Sequence, residues 1–271
     1  MDLNKPKLFF VSLLISFLLV SVMYSELQKG SQSHSSLLQT LDTEIKTTTQ
    51  ELEHDIFNSV DERFANEEKS LTRHGIDISH YQGNLLKQLP KSVNLEFVIT
   101  KATQGADYID PDFHNNWREI REKSLIRGAY HFYDSGADAL VQAKHFTKVL
   151  KDWDNKDMAP ILDIEQGSLN DSIKPAELQR DLSIYLNHIE DRFGKRPIIY
   201  TSYAFAQEYL NNETFSRYPL WLAEYTKSPP KVPDVWKSTG FKFWQKSQSY
   251  HLESEQVDFD LYHGLLSDLI K

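Results

Sequence analysis

The chain has no cysteine, and basic residues are the minority among its charges, with 30 Lys and Arg against 39 Asp and Glu in 271 residues. Without cysteine the protein has no disulfides, thiolate zinc sites or cysteine nucleophiles. The formal net charge of −9 argues against nucleic acid as a partner, because binding to a phosphate backbone depends on a surplus of Lys and Arg. Thiol chemistry and nucleic-acid binding are therefore both disfavoured.

Several motifs of cofactor and metal enzymes are also missing. The sequence contains no Gly-rich phosphate loop, no G-x-S-x-G turn and no H-E-x-x-H or comparable spacing among its histidines, which are patterns typical of nucleotide-binding proteins, serine hydrolases and zinc enzymes. We therefore expect neither a cofactor nor a metal. A Ser/His/Asp triad stays open, but no serine is marked out as a nucleophile.

The longest uncharged stretch lies near the N-terminus. Residues 8–24 form 17 residues without a charge, preceded by Lys5 and Lys7. A membrane-spanning helix needs roughly 17 to 25 residues, whereas the apolar part of a secretory signal has about 7 to 15 and ends at an A-x-A-like site. No such site follows Met23, so the pattern favours an uncleaved anchor over a cleaved signal peptide. The two lysines place residues 1–7 in the cytoplasm and all that follows outside the cytoplasmic membrane, in a periplasmic or extracellular position.

Residues 25–72 have no proline, one glycine and ten acids against four bases. Such a segment cannot build a core of its own, but its apolar residues recur every three or four positions, which predicts a helix with one narrow apolar stripe. Two interpretations stay open, a self-associating coiled-coil stalk that makes the protein a homo-oligomer and a partly disordered, solvated tether. The stripe consists of Leu38, Leu41, Ile45, Thr48, Leu52, Ile56, Val60 and Phe64.

From residue 73 to residue 271 strand-like and helix-like runs alternate, which predicts an α/β domain with a parallel sheet and crossover helices. Eight strands in about 200 residues is the number that closes a TIM-type barrel. No long helix fits between the last three strands, so we expect an irregular final third. The predicted strands are Gly75–Ser79, Phe97–Ala102, Gly128–Tyr133, Pro160–Glu165, Pro197–Ser202, Leu220–Tyr225, Phe241–Lys246 and Val257–Leu261, and the predicted helices are Leu85–Leu89, Phe113–Lys123, Ala137–Trp153, Pro175–Phe193 and Ala204–Leu210.

Two acids interrupt the apolar run A-P-I-L-D-I-E-Q-G. Residues two apart on a strand point to the same face, with Cα atoms roughly 7 Å apart, so Asp163 and Glu165 project together. Leu162 and Ile164 then face the helices, and the acids face the lumen at the carboxyl end of the strand, where barrel enzymes have their active sites. Paired, buried carboxyls acquire raised pKa values, as a general acid requires. The alternative is a structural pair that caps a loop or holds Lys101.

Other strand ends add acids and aromatic rings. Asp77 lies in G-I-D-I-S-H-Y-Q-G and Asp258 in V-D-F-D, and aromatic side chains follow several other strands. A cup of acids rimmed by rings suits a sugar, whose C–H faces pack on rings while its hydroxyls bond carboxylates and amides. For Phe132 and Phe243 we favour packing in the core. The aromatic and polar residues at these ends include Tyr130, His131, Tyr200, Trp221, Tyr225, Trp244 and Gln245.

These motifs, in this order, resemble those of glycoside hydrolase family 25, the lysozymes that cut peptidoglycan between N-acetylmuramic acid and N-acetylglucosamine. The resemblance extends over about residues 73–266 and includes F-V-I-T-K-A-T-Q-G, Y-I-D-P-D-F-H-N-N-W, G-A-Y-H-F-Y, L-D-I-E, P-I-I-Y-T-S, L-W-L-A-E-Y, W-Q and V-D-F-D. It implies an irregular, flattened (β/α) barrel of five βα units followed by three strands, and a peptidoglycan glycan strand as substrate.

By this resemblance Glu165 is expected to be the general acid, and Asp163 to stabilise the oxocarbenium-like centre or to orient the substrate's N-acetyl group. Asp77 and Asp258 match the two further acidic positions of the family's cleft. Hydrolysis with retention is implied. The residues expected to bind the substrate are Tyr81, Gln82, Lys101, Tyr130, His131, Tyr200, Trp221, Tyr225, Trp244 and Gln245.

The sequence also departs from the family's pattern. N-L-L-K-Q-L-P after Gly83 lacks the tryptophan often found there, Lys246 replaces a tyrosine, and Y-H-L-E-S-E-Q replaces a Gly-rich run. These changes affect the expected outer subsites and leave the acids in place. Two alternative functions stay open at this point, a glycan-binding or scaffolding module without turnover and a hydrolase of another N-acetylated glycan such as chitin.

Overall fold

The computed structural model describes residues 42–43, 45–52, 54–55, 57–58, 71–90, 93–170, 173–253 and 255–270. The chain divides into two units, Met1–Glu67 and Glu68–Lys271. In the first unit every described residue is helical, as the apolar stripe predicts, and Leu52 and Phe57 are exposed there. The predicted anchor at 8–24 lies outside the described residues. Among those that are described, no helix is both long and apolar enough for a membrane span.

The second unit is built on one nine-stranded sheet that closes on itself. Its strand order is β1-β9-β8-β7-β6-β5-β4-β2-β3, and β1 also pairs with β2. The pairs β1–β2, β2–β4 and those from β4 through β8 are parallel, whereas β9 is antiparallel to both β8 and β1, and β3 is antiparallel to β2. The strands are β1 Thr72–Ile78, β2 Phe97–Gln104, β3 Tyr108–Ile109, β4 Ile126–Phe132, β5 Ile161–Asp163, β6 Ile198–Ser202, β7 Leu220–Ala223, β8 Phe243–Leu252 and β9 Glu255–His263.

In the described part of the second unit, five α-helices follow β1, the β2–β3 pair, β4, β5 and β6. They are α1 Leu85–Gln88, α2 Phe113–Glu122, α3 Ala139–Val149, α4 Pro175–Phe193 and α5 Tyr203–Tyr209. The bounds of α4 were predicted to the residue because both ends carry strong signals. Pro175 occupies its first turn, and Gly194 at its C-terminus has the left-handed φ of 67° that favours glycine.

Five βα units followed by three strands agree with the expected barrel, and the irregular final third is confirmed. Between β7 and β8 the structure has a short 3₁₀ helix, Asp234–Trp236, and β8 and β9 form an antiparallel hairpin. An antiparallel hairpin needs only a short turn, so this part of the barrel closes without crossover helices. The two-residue strand Tyr108–Ile109 was not predicted, because it is too short to show a period.

The core has two sides that follow the alternation of the strands. Leu162 and Ile164 are fully buried with residues of the helices in one cluster, whereas Ile161 packs with Phe97 and Trp221 in a second cluster inside the barrel. The inner cluster fills the lumen below the carboxyl ends of the strands. The same inner face of β5 then continues upward to Asp163.

Candidate active site

Asp163 and Glu165 project from the end of β5 toward the lumen, as their spacing predicts. Asp163 is 8% exposed and lies beside Phe132 of β4 and Tyr200 of β6 in the parallel register. The Glu165 backbone N–H donates to Ser168 Oγ at 3.2 Å, which fixes the chain where it leaves the strand. The carboxyl of Asp163 therefore lies at the end of the strand, and that of Glu165 lies two residues further along the chain.

Asp77 and Asp258 face the pair from the other side of the lumen. They are direct partners in the antiparallel register of β1 and β9. Gln245 Nε2 donates to Asp77 Oδ2 at 2.7 Å, and Gln245 Oε1 accepts from the hydroxyls of Tyr200 and Tyr225, both at 2.8 Å. Because two hydroxyls donate to its oxygen, the Gln245 amide has only one orientation that satisfies it, with the NH₂ directed at Asp77.

These residues surround an open cavity of about 330 Å³. Tyr81 and Tyr225, at 79% and 51% exposure, present rings to solvent at its margin. All but two of the predicted site residues line the cavity, so the motifs scattered over the chain form one site. The lining consists of Asp77, Ile78, Ser79, Tyr81, Gln82, Lys101, Tyr130, Phe132, Asp163, Glu165, Tyr200, Trp221, Tyr225, Gln245, Gln248 and Asp258.

His131 and Trp244 do not line the cavity, and the prediction that they contact substrate is wrong. His131 is fully buried on the helix side, 2.7 Å from Thr103 Oγ1 and 3.2 Å from Gln142 Oε1, and burial lowers its pKa to about 3. Trp244 is 5% exposed and its Nε1 donates to the carbonyl of Glu224 at 2.7 Å.

The cause of both errors is the alternation of side chains along a strand. Since Tyr130 faces the lumen, its neighbour His131 has to face the helices. In the same way Gln245 faces the lumen, and its neighbour Trp244 faces away from it. The alternation also corrects the prediction for Phe132, which lines the cavity rather than the core. Phe243 packs inside the barrel, as expected.

Burial raises the pKa of every acid in the cavity. It raises the pKa of Asp77 to about 8, with a further contribution from the charge of Asp258, and that of Asp258 to about 6. The pKa of Asp163 rises well above its usual value through burial and the charges of Glu165 and Asp77. Burial also raises the pKa of Glu165, while Lys101 lowers it. The charge of Glu165 thus disfavours an ionised Asp163.

Lys101 is a cation near these acids, but its hydrogen bond goes elsewhere. Its Nζ donates to Gln104 Oε1 at 2.7 Å and lies 5.0 Å from the centre of the Phe132 ring. Asp163 Oδ1 is buried and has no hydrogen-bond partner among the described residues. A pair that existed to hold Lys101 would be bonded to it, so this part of the structural interpretation is disfavoured. Glu165 does form a capping box with Ser168 in the turn after β5, so a capping role accompanies its place in the cavity.

Two acids that the sequence reasoning overlooked shape the site. Asp110 is 1% exposed and accepts from both the backbone N–H and Nδ1 of His80, at 3.1 and 2.7 Å, and so holds the loop that carries Tyr81. Asp260 is fully buried and accepts from Trp221 Nε1 at 2.9 Å. Asp260 had a signal, since it lies two residues after Asp258 in V-D-F-D and therefore on the same face of β9.

No group of three or more His, Asp or Glu side chains in the described part of the chain is arranged to hold a metal ion. The cavity instead combines acids of raised pKa, an amide fixed by two tyrosines and exposed rings. Such a set can donate a proton, stabilise a positive centre and bind a polar ring. It is the chemistry that hydrolysis of a glycosidic bond requires.

Comparisons with known proteins agree with this geometry. Residues 76–254 match the family model described as glycosyl hydrolases family 25. The chain is 33% identical over 207 residues to a protein called YegX from Escherichia coli O6:H1, which covers 74% of this chain and 73% of that one. It is 28% identical over 206 residues to lysozyme M1 of Streptomyces globisporus, covering 72% of this chain and 69% of the lysozyme.

A solved structure is similar as well. The crystal structure of the bacterial lysozyme from Streptomyces coelicolor superposes with a TM-score of 0.66 at 28% identity, and covers 73% of this chain and 95% of that one. The family model matches well over half of the chain and covers most of the barrel and of the cavity lining, ending before β9 and Asp258. The protein therefore belongs to glycosyl hydrolases family 25.

Proposed function

We propose that the protein is a muramidase, a peptidoglycan hydrolase that cleaves the β-1,4 bond between N-acetylmuramic acid and N-acetylglucosamine. The observation that carries the proposal is the pair Asp163 and Glu165 at the end of β5, with a buried carboxyl oxygen that no described residue satisfies, beneath an open, ring-bordered cavity. Its similarity to lysozymes of two Streptomyces species supports the choice of substrate.

In this proposal Glu165 donates the proton to the leaving glycosidic oxygen. Burial holds its pKa above the usual value, so the carboxyl keeps a proton at a pH where an exposed glutamate is ionised. As the C–O bond breaks, positive charge develops at the sugar's anomeric carbon, and the ionised Asp163 stabilises it directly or through the substrate's N-acetyl group. The step requires the proton on Glu165 and the negative charge on Asp163.

Both routes give retention of configuration. In the first Asp163 acts on the anomeric carbon itself, a geometry in which retaining enzymes have carboxyl groups about 5 to 5.5 Å apart. In the second the N-acetyl oxygen attacks, and Asp163 orients and stabilises that group. After the first step Glu165, now ionised, accepts a proton from the water that completes hydrolysis.

The opposite wall positions the sugar. Asp77 is held by Gln245, which Tyr200 and Tyr225 hold in turn. A carboxyl fixed in this way bonds sugar hydroxyls without first losing side-chain freedom. Tyr81 and Tyr225 offer exposed ring faces for the C–H faces of neighbouring sugars.

The test is the release of reducing ends from purified peptidoglycan by the wild type and by Glu165→Gln, with product analysis of the muropeptides. The variant keeps the size of the side chain and loses the proton, so we expect no release above background. Glu208→Gln, which alters an exposed glutamate on α5, is the matched control and should cleave as the wild type does. Undiminished cleavage by Glu165→Gln would overturn the proposal.

The same assay separates the alternatives. A wild-type protein that binds peptidoglycan but releases nothing in a long digest would be a glycan-binding module. Cleavage of chitin with no action on peptidoglycan would indicate a hydrolase of another N-acetylated glycan.

We also propose that the barrel works on the outer side of the cytoplasmic membrane, tethered by residues 8–24. Support comes from the sequence alone, from the 17 uncharged residues after Lys5 and Lys7. Mass spectrometry of the mature protein from a membrane fraction should find the N-terminus before residue 8. A soluble mature protein that starts near Ser25 would overturn the anchor in favour of a cleaved signal peptide.

A further inference from the structure

Asp260 is a buried acid that the proposed reaction does not use. Its side chain is fully shielded from solvent, so it cannot touch a substrate. It lies on β9 two residues from Asp258, opposite Gln245 of β8 and Gly75 of β1. An acid in such a place costs free energy unless hydrogen bonds or a proton compensate it, and it lies within the layer that supports the cavity.

Its two oxygens have different surroundings. Oδ1 accepts from Trp221 Nε1 at 2.9 Å. Oδ2 is buried without a hydrogen-bond partner among the described residues. The neighbouring acid with which the Asp260 carboxyl interacts is Asp77. Two ionised carboxylates cannot bond each other, because neither has a donor. A single proton on Asp260 turns this contact from repulsion into a hydrogen bond.

The remaining groups around Asp260 also favour the neutral acid. Asp77 on β1 and Asp258 on β9 are acids, and Trp221 on β7 and Gln245 on β8 are uncharged. No cation is among the groups that shift its pKa, and burial together with the charges of Asp77 and Asp258 holds that pKa well above its usual value. The indole N–H of Trp221 bonds one oxygen, which leaves the other as the place for the proton.

We propose that Asp260 is a positioning residue that works as a neutral carboxylic acid, with Oδ1 held by Trp221 and the Oδ2 proton donated to Asp77. Asp77 then receives two donors, Asp260 from below and Gln245 Nε2 at 2.7 Å from the side. Both bonds favour the ionised form of Asp77, and both fix its carboxyl in the cavity. The inference deepens the proposed muramidase function and rests on it for its kinetic consequences.

The proposal makes asparagine the one good replacement. The amide introduced by Asp260→Asn would keep an oxygen for Trp221 and supply an N–H for Asp77, whereas leucine of similar size supplies neither. We expect Asp260→Asn to retain kcat/KM within roughly threefold and Asp260→Leu to lose roughly tenfold or more, because a buried partner left without its hydrogen bond is costly. The loss in Asp260→Leu should come with a displaced pH profile, since Asp77 loses a donor that favours its ionised form. Both variants are compared only after circular dichroism and thermal unfolding show that they fold.

A second measurement does not depend on turnover. In the infrared difference spectrum between the wild type and Asp260→Asn, recorded at a pH above the Asp77 pKa of about 8 so that Asp77 is ionised, we expect the C=O stretch of a protonated carboxylic acid, which an ionised carboxylate lacks. Absence of that band, or an Asp260→Asn enzyme as impaired as Asp260→Leu, would overturn the inference. If the wild type fails to cleave peptidoglycan, the proposed function fails and the infrared result alone decides the inference.

Discussion

Two buried acids, Asp157 and Asp163, lie near opposite ends of β5, and they differ in their hydrogen-bond partners. Asp157, 2% exposed, precedes the strand and accepts from Arg127 Nε at 2.6 Å, from Arg127 Nη2 at 2.9 Å and from the backbone N–H of Asp154 at 2.9 Å. Arg127 in turn lies 3.8 Å from the centre of the Trp117 ring. Asp163, at the other end, has a buried oxygen without any such partner among the described residues.

The difference separates a structural acid from one available for chemistry. The ion pair of Arg127 and Asp157 is bidentate, and a ring and backbone groups complete its surroundings, so neither charge is available to a ligand. At the carboxyl end of the strand the acids are crowded against each other, and their pKa values rise because burial and mutual repulsion outweigh what compensates their charges. The first arrangement stabilises the fold. The second costs stability, and such a cost is typical of active sites.

The largest expected effect on stability comes from breaking the ion pair of Arg127 and Asp157, at the end of β5 where the acid has hydrogen-bond partners. Arg127→Met leaves the buried Asp157 charge with the half-exposed Arg121 Nη2, at 3.3 Å, as its remaining cation, and loss of one member of a buried pair costs about 3 to 5 kcal/mol. We expect the free energy of unfolding in denaturant to fall by that amount, while the turnover per folded molecule stays as in the wild type. Arg118→Met, which changes an exposed arginine on the same side of the fold, is the control. A loss below about 1 kcal/mol, the scale of a surface ion pair, would remove the contrast between the two ends.

The second prediction concerns Asp163, at the carboxyl end of β5, where we expect a loss of activity without a loss of stability. Asp163→Asn keeps the shape of the side chain but removes the charge that faces the developing positive centre, and removal of one such electrostatic contact lowers kcat by roughly 10²-fold or more. Because it also removes a buried acid that lacks partners, the free energy of unfolding should stay the same or rise. Asp157→Asn is the matched variant and should lose stability while it keeps its turnover. Equal effects of the two substitutions on both quantities would contradict the comparison.

The sequence predicted the elements and the faces of β5 because each has a local cause. Strand and helix periods, the Pro175 and Gly194 ends of α4, and the two-residue spacing of Asp163 and Glu165 are all properties of neighbouring residues. The family's motifs then brought together residues from distant strands, and the structure places Asp77, Asp258 and Gln245 in the same cavity as that pair.

The predictions for His131 and Trp244 failed because all residues of a motif were assigned to the same side of the strand. G-A-Y-H-F-Y suggested that His131 joins Tyr130 in the cavity, although adjacent residues of a strand face opposite sides. The contacts of Asp260 and Asp110 were unpredictable for a different reason, because each depends on a partner far away in the chain, Trp221 in one case and His80 in the other. Such distant contacts decide which acids have hydrogen-bond donors and which have none.

A third prediction concerns how stability changes with pH. Asp77 has a pKa of about 8 in the folded protein against an ordinary value of 3.8, so between these values the folded state binds more protons than the unfolded state. The free energy of unfolding should therefore fall as the pH rises through that interval. Asp77→Asn should make this fall shallower in denaturant titrations at a series of pH values, whereas Asp191→Asn, at an exposed position of α4, should leave it unchanged. A stability that rises with pH in the wild type and in both variants would show that the acids of the cavity are compensated after all.

The smallest expected effect tests the cation beside the acids. Lys101 lowers the pKa of Glu165, so Lys101→Met should raise that pKa further. The reaction needs Glu165 protonated, and activity is lost as the pH rises through its pKa, so the alkaline limb of the kcat profile should move to higher pH. Lys148→Met, at an exposed position of α3, should leave the limb in place. Lys101 also lines the cavity, and for this reason a change in KM alone would not bear on the prediction, which concerns the position of the limb in kcat. A limb that stays in place or moves to lower pH would mean that the charge of Lys101 does not act on the proton of Glu165, and that this end of β5 is better compensated than its hydrogen bonds indicate.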